Sequence, residues 1–398
     1  MMKYTKPLKT LSIATILGVT LSGGVALNAH AATKYDNFTN SNVVERNTNI
    51  EKNDAVKTTQ EFYDKIKTAL ENFETNVTIK VANYNGRDYN LNILNKIVLE
   101  HPEIDYGYSG VSGNIYGYSN SREKTMNLNI TYRQSKEKMQ SQKEAVRVKV
   151  QQIIGQVIKP GMTDVQKELA LHDYVVKHAD YNTTNYNAGI VSAEDHNAYG
   201  VLVKNTGVCE SYAKAMYELL TASGIECKYV TGYGNRGGHA WNMVKLDGEW
   251  YNLDATWDDP ISDRNLGASS NTLIPISHKY FNVSDSIFNR DHSRGEVARN
   301  YPTCTATKYS FDNLNIPEYT SDGKLFVNFS NAQQLDAQIL KVLRNHEASL
   351  CLKMKGVNID LNQLMRRIQV IAQNNHIYGF GMRASMSSSY IRVNFTWQ

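Results

Sequence analysis

Three polar residues in the middle of the chain, Cys209, His239 and Asp254, follow one another within one compact stretch, each in a context that suits a nucleophilic cysteine. Cys209 lies in Gly207-Val208-Cys209-Glu210-Ser211-Tyr212-Ala213-Lys214-Ala215, where a glycine turn runs into an apolar stripe of Tyr212, Ala213, Met216, Leu219 and Leu220 at helical spacing, with Gly224 placed to end the helix. The cysteine therefore stands at a helix N-terminus. Unpaired N–H groups and the positive end of the helix dipole favour the thiolate there over the thiol.

The other two residues fall on either side of Asp247-Gly248, a dipeptide that favours a type I′ hairpin. A two-residue turn pairs Leu246 with Glu249, and the same register carried outward sets His239 opposite Thr256 and Trp241 opposite Asp254. His239 and Asp254 are then diagonal neighbours on one face, within reach of an imidazole and a carboxylate. Ala240, Val244, Leu246, Tyr251 and Leu253 take the other face and suit a core. A slip of one residue would exchange the faces.

Singly, these residues are ordinary: a helical cysteine is usually core, a strand histidine a bonded structural one, an aspartate at a strand end a turn former. Together they make the nucleophile, base and orienter of a cysteine enzyme.

The stretch from Met162 to Pro260 carries Ala198-Tyr199-Gly200-Val201-Leu202, the Cys209 segment, His239-Ala240-Trp241-Asn242 and Tyr251-Asn252-Leu253-Asp254-Ala255-Thr256-Trp257-Asp258-Asp259-Pro260. In these motifs it resembles the transglutaminase-like domain of secreted bacterial proteins. The resemblance implies an α+β, papain-like core in which the cysteine opens a central helix and the histidine and aspartate come from adjacent strands. Ser211 departs from the pattern, since relatives often carry glycine there; it adds a hydroxyl near the site. The calcium dependence of the longer eukaryotic crosslinking enzymes does not carry over.

Such a site implies acyl transfer on a protein or peptide amide through a thioester on Cys209, with His239 moving the proton and Asp254 orienting the imidazole. The Cys209 N–H would hold the oxyanion with a second donor, for which Tyr181 and Tyr199 are candidates. Trp241 and Trp257 either line the acyl groove or pack in the core. An amine acceptor gives crosslinking; water gives peptide hydrolysis or deamidation. The alternative is a catalytically idle surface-binding protein that uses the domain as a scaffold.

The N-terminus reads as a secretory signal peptide over residues 1–31. Lys3, Lys6 and Lys9 precede an apolar run from Leu11 to Leu27, and Ala29-His30-Ala31 supplies the cleavage site. Glycines, serines and threonines dilute the run, so a membrane span is not expected. Loss of three lysines takes the formal charge from +4 to +1, which gives no warrant for nucleic-acid binding. The expected partners are protein or peptide substrates, cell-wall and surface proteins among them. Cys209, Cys227, Cys304 and Cys351 are the only cysteines. They are too few and too scattered for a disulfide framework, and Cys227 alternates with Ile225 and Tyr229 as a core strand residue. No two of them form a metal-ligand pair, and no cofactor or metal is expected.

After a polar leader over 32–54, the pattern divides the chain into a small α/β module at 55–134, the catalytic domain at 135–303 and a second α/β module at 304–398. Both modules read as helix, strand, helix and two strands. Asn127-Leu128-Asn129-Ile130-Thr131-Tyr132 resembles Arg392-Val393-Asn394-Phe395-Thr396-Trp397, as in a diverged repeat. Between them, Ser135 to Lys159 and Thr163 to Ala179 read as two helices. His172, His178, His278 and His292 fall outside the three motifs and read as scaffold.

Overall fold

The computed structural model describes residues 55–235, 237–259, 276–320, 322–387 and 389–398. The leader segments expected over 1–31 and 32–54, and Pro260, lie outside them. Among the described residues no helix is long and apolar enough to cross a membrane.

The N-terminal module runs α1 (Thr59–Glu71), β1 (Asn76–Val81), α2 (Asn92–Glu100), β2 (Tyr108–Tyr116) and β3 (Lys124–Tyr132). Its sheet has the order β1-β3-β2, antiparallel throughout. Alternation puts Met126, Leu128 and Ile130 on one face, where they meet Phe62, Ile66, Leu94 and Ile97 from the two helices.

Two helices lead into the central domain, α3 (Lys136–Val157) and α4 (Asp164–His178). Ser135 and Thr163 cap them, the second through a capping box with Gln166. Next come α5 (Ala198–Lys204), α6 (Cys209–Ala222), the hairpin partners β4 (Cys227–Gly234), β5 (Gly237–Leu246) and β6 (Glu249–Leu253), the one-turn α7 (Ala255–Asp258), and β7 (His292–Arg294). These four strands form an antiparallel sheet of order β6-β5-β4-β7. The hairpin turn has φ +50° at Asp247 and +86° at Gly248, as a type I′ turn requires. Leu246 pairs with Glu249, and the ladder runs to Asn242 opposite Leu253.

It stops there. Pairing of His239 with Thr256 and of Trp241 with Asp254 does not occur, because Asp254 leaves the sheet to cap α7 and bonds the N–H groups of Thr256 and Trp257 with one carboxylate oxygen. Both faces of the sheet are buried. Val244, Leu246, Tyr251 and Leu253 join the main core with Tyr212, Met216 and Leu219 of α6. Trp241, Met243 and Trp250 pack on the other side against Tyr280, Val283, Phe288 and Cys304.

The C-terminal module consists of β8 (Val327–Phe329), α8 (Ala332–Arg344), β9 (Ser349–Met354), α9 (Leu361–Asn374), β10 (Phe380–Ser387) and β11 (Tyr390–Trp397). Its sheet order is β8-β9-β11-β10. Without β8 this repeats the N-terminal topology. Leu128 faces Val77 and Val393 faces Leu350 at matching places on the last strands. Even the extra parallel edge has a counterpart: β8 lies beside β9 as Val56 bridges Val81.

The modules attach differently. The N-terminal one sits directly on the central domain, with Leu99 packed against Ala213, Tyr229 and Ala240 next to Cys209. Lys214 of α6, its side chain 3% exposed, reaches Asp105 over 2.7 Å. On the other side the expected boundary at 304 falls inside packed structure: Cys304 and Phe311 belong to the two central core clusters. The C-terminal sheet is held to this strap through Lys353, which pairs with Asp312 at 2.8 Å and Glu318 at 2.6 Å.

Candidate active site

Cys209 is the first residue of α6, preceded by the extended Val208. Gly207 permits the entry, because a Cβ there would lie 2.6 Å from Cβ of Ser211. The Ser211 hydroxyl does not face the site. It is fully buried, accepts from Val201 N at 2.9 Å and donates to Asn197 O at 2.6 Å, and so ties the start of α6 to α5.

His239 lies on β5 facing Asp254, with Nε2–H donating to Asp254 Oδ2 over 2.7 Å. Nδ1 is thereby left as the ring atom for the thiol, and the neighbouring Cys209 adds to the stabilisation of the protonated ring. Burial opposes the imidazolium, but Asp254 and then Cys209 outweigh it and raise His239 to about 10. Burial likewise opposes the Asp254 carboxylate, and His239 and His292 overcome it, holding the carboxyl well below its usual range.

The structure thus brings Cys209, His239 and Asp254 together. It also brings in Tyr181, a tyrosine raised far above its ordinary value first by burial and then by Cys209. Tyr199, like Tyr181, packs against the main core. Trp241 is 1% exposed and is a core residue, stacked under His239 with centroids 6.0 Å apart. Trp257 is partly exposed and leans over both His239 (5.3 Å) and His292 (4.2 Å).

His292 corrects the scaffold reading given to it from sequence. Its Nε2 lies 3.1 Å from Asp254 Oδ2, the oxygen that His239 also uses, and its Nδ1 lies 2.7 Å from Asp291 Oδ1. Asn242 of the His239 motif holds the site together: it is 1% exposed and its Nδ2 donates to Ala213 O at 2.9 Å, joining β5 to α6. Tyr229 stands near Cys209 and Glu210, whose charges add to the burial that raises it. No local periodicity marks these residues. The one available signal was their place inside or just beyond the motifs.

His172 and His278 stay in the framework. His172 is fully buried between Asp173 (3.1 Å) and Asp258 (3.3 Å), and His278 bonds Asp173 at 2.8 Å. Burial opposes protonation of His172, while Asp173 and Asp258 raise it to about 9. Asp259 accepts from Tyr212 OH at 2.6 Å, so Asp258 at the end of α7 and Asp259 after it anchor that turn to the helices behind it. All four cysteines are free thiols; Cys227, Cys304 and Cys351 are buried and Cys209 is partly exposed. The groups His239, Asp254, His292 and His172, Asp173, His278 have atoms close enough for metal ligation, but hydrogen bonds already account for their contacts.

A buried imidazole between a carboxylate and the one accessible thiol, at the head of a helix, is a nucleophilic cysteine arrangement. Comparison with known proteins places it: residues 151–255, which contain all three residues, match the model of the transglutaminase-like superfamily. This region is a transglutaminase-like domain. Human kyphoscoliosis peptidase is 23% identical to the chain over 200 residues, and the mouse protein 22%. Each alignment takes in 46% of this chain and 29% of the relative, so the chain spans under a third of the curated relatives it matches. A solved structure of a TGase aligns with 45% of this chain and 50% of its own, at 13% identity and a TM-score of 0.27. The matched residues take in α4, α5, α6 and the hairpin but only the last turns of α3; neither flanking module lies within them.

Proposed function

We propose that the protein is a cysteine enzyme that transfers acyl groups from protein or peptide amides, with Cys209 as nucleophile, His239 as proton carrier and Asp254 as its orienter. The observation that carries this reading is the 2.7 Å contact of His239 Nε2 with Asp254 on a ring whose charged form the neighbouring Cys209 also favours. The thiolate attacks the amide carbonyl and the His239 imidazolium gives its proton to the departing amine. The thioester then passes to an amine or to water, with neutral His239 taking the proton of that second nucleophile. As first residue of α6, Cys209 has an N–H with no carbonyl one turn earlier, which makes it an oxyanion donor; the Tyr181 hydroxyl is the second. Trp257, over the imidazole, limits the access of water. The leader read over residues 1–31 puts this activity outside the cell, on surface, wall or host proteins.

The test is incubation with casein and a fluorescent primary amine, following amine incorporation, ammonia release and new peptide ends together. Incorporation abolished by Cys209→Ser supports transfer to amines, and Cys209-dependent cleavage supports a peptidase. A thiol probe that labels Cys209 no faster than Cys227, and ignores His239→Ala, would sink the enzyme reading and leave the idle scaffold.

A further inference from the structure

His292 arrives at the site from β7, beyond the residues that match the superfamily model. It is 3% exposed, and each ring nitrogen meets a carboxylate oxygen: Nδ1 to Asp291 at 2.7 Å, Nε2 to Asp254 at 3.1 Å. Carboxylates only accept, so both contacts are hydrogen bonds only when both nitrogens carry protons. The ring is also enclosed by aromatic faces. Phe288 stacks on it at 3.9 Å, and Trp257, Tyr280 and Trp241 surround it at 4.2, 5.4 and 5.5 Å. These faces hold the plane of the ring.

Asp291 is fixed in turn. Its second oxygen accepts from Tyr280 OH at 2.6 Å, and Tyr280 O accepts from Asp254 N at 3.2 Å. The loop of contacts closes on the residue where it began, through the backbone N–H of Asp254. Asp254 then has four donors: Thr256 N and Trp257 N on Oδ1, His239 and His292 on Oδ2.

We propose that His292 is a positioning residue of this site: by sharing Asp254 Oδ2 with His239, it fixes the carboxylate and restrains how strongly it holds the His239 proton. The inference rests on the proposed cysteine-enzyme reading. The charged and titratable groups facing this trio are Cys209 from α6, Tyr181 from the segment before it, and Tyr280 and Asp291 from the returning chain. Asp254 alone meets both imidazoles directly. A lone acceptor with one partner fewer binds the remaining one more tightly, so loss of the His292 donor makes His239 a stronger base and a poorer proton donor to the leaving amine.

The experiment is alkylation of Cys209 by iodoacetamide as a function of pH in the full chain, which needs no knowledge of the substrate. The wild-type rate should depend on His239 and show an upper inflection where His239 loses its proton. In His292→Leu that inflection should rise by about one pH unit, and in His292→Gln, whose amide can still donate to Asp254, by clearly less. Asp291→Asn, which keeps the volume and weakens the hold on Nδ1, should move it in the same direction and remains readable if His292→Leu does not fold. A folded His292→Leu or Asp291→Asn protein whose profile overlays the wild type overturns the role of His292 and leaves the enzyme reading intact. A wild-type profile indifferent to His239→Ala overturns both.

Discussion

The side-chain amide of Asn242 donates to the backbone carbonyl of Ala213 over 2.9 Å, and both partners are buried. This bond joins the strand that carries His239 to the helix that begins at Cys209. Asn242→Ala removes a buried donor and leaves the Ala213 carbonyl without it, at an expected cost of about 1–3 kcal/mol. The measurement is the urea midpoint beside the Cys209 alkylation rate. Both should fall, and a loss of stability with no change in alkylation would mean that the bond supports the fold without setting the distance between strand and helix.

Asp254→Asn keeps the shape of the side chain and its cap on α7 while removing the charge that the imidazolium needs. By analogy with the same exchange in serine enzymes, turnover should drop by about two to four orders of magnitude. Circular dichroism should stay that of the wild type. Activity within about threefold of wild type would show that Asp254 is only a helix cap.

The ionic pair also ties stability to pH. His239 rises from an unfolded value of about 6.5 to about 10 in the fold. Its contribution is complete below about pH 6.5 and is lost as pH climbs towards 10. Asp254 is depressed, so its share is present above about pH 3.9 and is lost as pH falls through its folded value. Urea unfolding of Cys209→Ser, which removes the thiol from the titration, should show the advantage over a Cys209→Ser, His239→Gln double variant at about pH 5.5 and much less of it near pH 10. An advantage that grew with pH would contradict a charged His239.

Lys214 and Asp105 tie the N-terminal module to α6 by a bridge from which water is nearly excluded. Breaking such a pair by removing one partner costs about 3–5 kcal/mol, while replacing both with apolar residues costs far less. Lys214→Met should therefore unfold at markedly lower urea than Lys214→Met combined with Asp105→Leu. Equal midpoints for the single and double variants would show that the two charges do not stabilise each other.

Much of this architecture was legible because local chemistry dictates it. Asp247-Gly248 admits one tight turn, and that turn fixes Leu246 opposite Glu249 and the faces of the hairpin. Ser135 and Thr163 announce their helices in the same way. The register failed at Asp254, where a carboxylate that can cap two N–H groups bends the chain out of the ladder. His292 was illegible for another reason. Its partner Asp254 is thirty-eight residues earlier, and neither a strand of three residues nor a lone Asp-His pair has a pattern that points across such a gap.

The unlike attachment of two modules of like topology has a mechanical consequence. Tension applied between the two ends of the described chain would enter the central domain at the buried Asp105–Lys214 bridge, beside the nucleophile, and leave through the strap that carries Phe311. Between strap and C-terminal sheet the load falls on Lys353 and its two carboxylates, helped by Tyr390 on Glu318 and Arg392 on Asp322. Of Lys353 and its two carboxylates, Asp312 alone is largely exposed, while Lys353 and Glu318 are nearly closed to water, so only the Asp312 arm resists little. A pull along the chain is thus carried at both module junctions by a lysine closed in against a carboxylate, with the active-site helix between them.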